Sequence, residues 1–140
     1  MDLIEWKQTG KIFIWRYDGN PKNYRGWHMS ADKLGCKSLL ELLEIYKQYN
    51  TDVWRTLQLS TPTSEQYLVP SRRFIPIIES KLTIQKNENS EFWKIEKIRS
   101  KLMIETGTNN LAKLISGVND VMNNKGDYFI GSKGQELWFW

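Results

Sequence analysis

The chain holds one histidine, His28, and one cysteine, Cys36, among 140 residues. A transition-metal site draws three or four ligands from histidine, cysteine and carboxylate side chains, so a structural zinc site is excluded for a single chain and no metal is expected. A Ser-His-Asp arrangement would have to pass through His28. A Cys–His pair is the other nucleophilic option. Cys36 falls near the start of an expected helix, where the helix dipole lowers a thiol pKa. Against it, a lone cysteine beside leucines is more often a small buried apolar residue.

The remaining chemistry-bearing patterns are thin. Glu41 and Glu44 share a helix face, where two like charges can raise one pKa, but Lys37 and Lys47 offset them and the face reads as solvated. Gly131-Ser132-Lys133-Gly134 lacks the G-x-x-x-x-G-K-[ST] spacing of a phosphate loop and lies between two expected strands, so a hairpin turn explains it. No cofactor and no catalysis are expected.

Binding groups are better supplied. Seven tryptophans exceed what a core of this size absorbs, which leaves one or two for contact with a partner. Residues 18–29 read as a polar loop after a strand, and the stretch 17–28 carries Tyr17, Tyr24, Arg25, Trp27 and His28. Rigid aromatics and arginines dominate interface hot spots, and loops carry much binding chemistry. The competing reading tucks Tyr24 and Trp27 into the core and lets Arg25 cap a carbonyl. Arg72 and Arg73, between Pro70 and Pro76, could hold a carboxylate or phosphate. The candidate binding set is therefore Tyr24, Arg25, Trp27, His28, Arg72 and Arg73. Lys94, Lys97, Arg99 and Lys101, with Phe92 and Trp93, would form a basic strip suited to single-stranded nucleic acid if they shared a face; otherwise they are ordinary strand lysines.

The elements that must position these groups follow from periodicity. Lys11 to Tyr17 is β-branched and aromatic and ends at Asp18-Gly19-Asn20-Pro21, a strand and turn. It is apolar on both faces, so it belongs in the middle of a sheet. Ser30 is read as the cap of a short helical turn broken by Gly35. A helix follows over 37–49, where Leu39, Leu42, Leu43, Tyr46 and Tyr49 form a stripe. Strands are expected at 52–60, around Leu82 and Ile84, at 92–98 and at 101–105. The prolines at 62, 70 and 76 leave 61–76 as loop or edge. Leu111, Leu114, Ile115, Val118, Val121 and Met122 define a second helix, capped by Thr108 or Asn109. Residues 127–130 and 136–140 form a closing hairpin with a buried last strand.

The helices are separated by a run of strands, so the expected fold is α+β: a mostly antiparallel sheet of about five to seven strands, two main helices packed on it, one domain over 1–140. Net charge is +4 at a pI near 9.1. The excess is spread thinly, unlike the dense stripe of most nucleic-acid binders. No apolar run reaches the ~18 residues of a membrane span. With no leader pattern and no disulfide, the expected location is the cytosol.

Gly126-Asp127-Tyr128-Phe129-Ile130-Gly131 and Leu137-Trp138-Phe139-Trp140 resemble the closing hairpin of small bacterial proteins, some of which are similar to immunity proteins of toxin systems. The resemblance covers residues 126–140 and implies a stoichiometric inhibitor of a toxin, without turnover or cofactor. The positive net charge departs from inhibitors of nucleases, which tend to be acidic. The expected function is a small cytosolic bacterial protein that binds another protein, with a nucleic-acid-binding module as the alternative.

Overall fold

A computed structural model describes residues 2–18, 24–49, 53–66 and 76–140. Among them are nine strands and two helices in an α+β arrangement. Strands β1 (Ile12–Tyr17), β2 (Trp27–Ala31), β4 (Pro76–Ile78), β8 (Tyr128–Ile130) and β9 (Leu137–Phe139) form a five-stranded sheet in the order β4-β1-β2-β9-β8. Strands β3 (Trp54–Gln58), β5 (Lys81–Lys86), β6 (Trp93–Ile98) and β7 (Lys101–Thr106) form a second sheet in the order β3-β5-β7-β6. Each sheet holds one parallel pair, β2 with β9 and β5 with β7, and its other pairs are antiparallel. Helices α1 (Lys33–Tyr46) and α2 (Thr108–Met122) pack on each other. No helix among the described residues is long and apolar enough to cross a membrane.

One apolar cluster draws on all of these layers. Ile12, Ile14, Trp27, Met29, Leu137 and Phe139 enter it from the five-stranded sheet. Leu57, Leu82, Ile84, Ile95, Leu102 and Ile104 enter from the four-stranded sheet, and Leu39, Leu42, Leu43, Leu111, Leu114 and Val118 from the helices. β1 lies inside its sheet between β4 and β2, and both apolar faces are buried, Ile12 and Ile14 in this cluster and Phe13, Trp15 and Tyr17 in a second one.

Helix α1 starts earlier than its leucine stripe suggests. Its cap is Asp32, not Ser30: the Asp32 carboxylate accepts from Gly35 N at 2.7 Å and Lys11 N at 2.9 Å. Ser30 lies in β2 instead and its hydroxyl donates to Trp140 O. Gly35 does not break the helix. A Cβ there would lie 2.2 Å from Lys11 O, so glycine is what lets the helix start approach the chain entering β1. α1 ends at Tyr46 rather than 49, where the buried Lys86 ammonium donates to Tyr46 O and Tyr49 O. A cation there satisfies orphan carbonyls at the negative helix pole. α2 is capped by Gly107, not by Thr108 or Asn109.

Both edges of the four-stranded sheet are covered by glutamine amides. Gln8 donates to Gln58 O and accepts from Gln58 N, both at 2.8 Å. Gln135 accepts from Ile95 N through its side chain and from the Trp93 indole through its backbone, both at 2.8 Å. Each amide takes the place of a neighbouring strand and blunts an edge open to foreign pairing.

Replacing Asp32 with alanine removes an acceptor shared by two backbone N–H groups. Asp32→Ala should lower unfolding free energy by about 1–2 kcal/mol in urea titrations, and Asp32→Asn, which keeps an acceptor, by less.

Candidate binding surface

Residues 27–31 are not loop. Trp27 and Met29 point to the core while His28 and Ser30 take the opposite face, the alternation of a strand buried on both sides. The expectation of a loop over 18–29 holds at 24–26 and fails at 27–29, because five residues of mixed polarity become a strand only when β1 and β9 supply ladder partners on both sides; residues 19–23 lie outside the described residues.

The register lines up one row across the sheet, away from the helices: Ile78, Trp15, His28, Trp138 and Phe129. His28 is 0 % exposed at the centre of it. Its ring stacks near-parallel to Trp15 and Trp138, with centroids 5.7 and 5.9 Å away, and Tyr17 meets it edge-on at 5.0 Å. The Trp140 indole lies 2.9 Å from Nδ1, and Tyr24 O lies 3.0 Å from Nε2. An indole N–H only donates and a carbonyl only accepts. His28 is therefore the neutral tautomer with its proton on Nε2. Burial pushes its pKa down to about 4, against the smaller upward pull of the Tyr24 carbonyl.

The Cys–His option is not built. Cys36 belongs to the core cluster on the helix side of the sheet, and its thiol faces Ala31 O at 3.9 Å. Burial, and then the Asp32 charge, push the thiol up to about 11. Among the described residues no group of three or more His, Cys, Asp or Glu side chains could hold a metal ion.

Beyond His28 the aromatic row reaches the surface. Phe129 is 45 % exposed and rests against Trp138 at 4.8 Å. Trp138 and Trp140 stack at 5.5 Å, and the Trp138 indole donates to Arg25 O at 2.8 Å. Tyr24 leans on both tryptophans, at 6.0 and 6.2 Å. Tyr24, Arg25, Phe129 and Trp138 thus form a patch whose large rings are held by ring contacts and hydrogen bonds within the chain.

Around the end of the strands lies a cleft of about 570 Å³. The parallel pair β2 and β9 begins there and the antiparallel β1 ends there. Its walls include Arg16, Tyr24, Arg25, Trp27, Lys133 and Glu136. The Arg16 guanidinium stacks over Trp27 at 5.6 Å. Gly26 has φ +87, and a Cβ on it would lie 2.6 Å from Glu136 O, so only glycine closes the wall between patch and cleft. Arg16, Arg25 and Lys133 make none of the ion pairs among the described residues, which are Lys47–Glu44, Lys94–Glu96 and Lys97–Glu79.

Of the residues singled out in the sequence, Tyr24 and Arg25 lie at the junction of patch and cleft. Trp27 is buried beneath Arg16, and His28 is buried beneath the patch. Arg72 and Arg73 lie outside the described residues. Lys94 and Lys97 occupy opposite faces of β6 with carboxylate partners at 3.3 and 2.9 Å, so the basic residues do not share a face. Phe129, Trp138, Arg16, Lys133 and Glu136 were missed. The signal for Trp138 was present: in Leu137-Trp138-Phe139-Trp140 both alternating faces are large and apolar, which requires aromatic company on each. No protein-family model, curated protein or solved structure matches the chain.

Two measurements check this geometry. The unfolded chain takes a proton on His28 below pH ~6.5, while the folded ring resists until about 4. The His28 contribution should therefore be complete above pH 6.5 and fall by roughly 3 kcal/mol as pH drops to 4. The imidazole resonances of the folded protein should titrate with a midpoint near 4. Cys36 should alkylate at least about tenfold more slowly in the folded protein than in urea.

Proposed function

We propose that this chain is a protein-binding protein that works by covering a surface of its partner, with Tyr24, Arg25, Phe129 and Trp138 as the working face. The observation that carries the reading is the exposed Phe129 packed against Trp138, whose indole also bonds the backbone of the exposed Arg25, a residue in no ion pair among the described residues. Aromatics and arginine on a rigid support lose little conformational entropy on binding, which is why they dominate interface energies. The narrower form of the proposal is a cytosolic bacterial immunity protein that occludes a toxin. It is supported by the resemblance of residues 126–131 and 137–140 to the hairpins of such proteins, since that hairpin supplies Phe129 and Trp138.

The nucleic-acid alternative has less behind it. The basic residues of β6 are split between two faces, and two of them already have carboxylate partners. Oligonucleotide binding that weakens steeply with salt would favour it, and none at low salt would remove it.

The main reading is tested by affinity capture from extracts of the source cell, with Phe129→Ala and Arg25→Ala as controls. Both side chains are exposed, so the fold should survive. A stoichiometric protein partner is expected, with each substitution weakening it about tenfold or more. No partner at micromolar concentration, or a partner indifferent to both changes, refutes the reading.

A further inference from the structure

We propose that the strand-end cleft is a docking pocket for one basic side chain of a protein partner, flanked by acidic side chains, with Glu136 receiving the cation and Arg16, Arg25 and Lys133 receiving the carboxylates. The proposal rests on the protein-binding reading and adds the chemistry of the partner's contact segment.

Glu136 is the starting point. It is 8 % exposed, yet its carboxylate borders the cleft. Oε1 accepts Gly134 N–H at 3.0 Å, and among the described residues no lysine, arginine or histidine pairs with the carboxylate. A carboxylate has room for about four hydrogen bonds, and one withdrawn from water without a cation is costly. Three cations line the same cleft, so the lack of pairing reflects where the fold holds them. Arg16 lies on Trp27. Arg25 is carried by a segment whose backbone is tied to the Trp138 indole, and Lys133 belongs to the turn before β9. The Glu136 main chain is fixed in turn, accepting Trp27 N–H at 2.9 Å.

The resulting pattern is two carboxylates, the buried Glu136 and the exposed Asp18, among three exposed cations. An all-acidic segment would bring its own charge against Glu136. An all-basic one would meet Arg25 and Lys133 first. A basic side chain between acidic neighbours satisfies every group, and a cleft of about 570 Å³ admits one long side chain with its flanks. The shared wall at Tyr24 and Arg25 makes the pocket continuous with the aromatic patch.

The test is a titration of the full chain, followed by NMR at the Gly134 amide and the Trp27 indole, with three capped tripeptides: Asp-Arg-Asp, Asp-Ala-Asp and Ala-Arg-Ala. Asp-Arg-Asp should bind tightest. Glu136→Gln keeps an acceptor for Gly134 N–H and removes only the charge. It should weaken Asp-Arg-Asp about tenfold and erase the preference over Asp-Ala-Asp. Lys133→Glu, at an exposed turn, should weaken Asp-Arg-Asp as well. If Glu136→Gln instead tightens Asp-Ala-Asp and leaves Asp-Arg-Asp unchanged, the cleft is a plain anion site and the proposal falls. It also falls if no peptide shifts either resonance at millimolar concentration. The titration needs no natural partner and does not involve Phe129. A captured partner that depends on Phe129 but ignores Glu136→Gln would overturn the pocket while leaving the binding reading intact.

Discussion

Because an indole can only donate, the Trp140 hydrogen bond to His28 decides the state of the whole aromatic face. It places a lone pair on Nδ1 and sends the imidazole proton to Tyr24 O. A charged ring could keep the second bond but not the first. Neutrality in turn lets His28 lie flat among Trp15, Trp138 and Trp140 with no counter-ion. The lone histidine is the keystone of a packed aromatic face, and its two hydrogen bonds tie Tyr24 and Trp140 to it.

The second constraint is that β2 is buried on both sides. Its inward residues fill the core between sheet and helices, and its outward residues anchor the aromatic row. The patch and the cleft are therefore not independent decorations. Both are consequences of β2 lying between β1 and β9, with the parallel partner beginning at the same end. Gln135 then ties that end to the four-stranded sheet through Trp93 and Ile95, so the cleft wall is braced from both sheets.

Much of the fold was legible because most elements carry local periodicity. The leucine stripe of α1, the i, i+3, i+4 pattern of α2, the aromatic run of β1 and the closing hairpin all announce themselves over their own length. The division of the strands into two sheets did not, since register and partner choice are set by tertiary packing. β2 was hidden for the same reason: Trp27-His28-Met29 alternates too briefly to be distinguished from a loop. Asp32 lost to Ser30 as the expected cap because both are good capping residues and only the chain path into β1 decides. Within the site, Tyr24 and Arg25 were legible from residue type. Glu136 and Phe129 were not, because nothing local separates a buried cleft carboxylate or an exposed ring from their neighbours.

The pairing of β2 with β9 joins positions 110 apart, from Trp27 to Leu137. Closing so large a loop sacrifices chain entropy before its contacts repay it, and parallel pairings of this range form slowly. Helices and the β6–β7 hairpin can assemble from near neighbours well beforehand. The aromatic row and the strand-end cleft both straddle the late seam. A chain in which that pairing has not formed thus has neither.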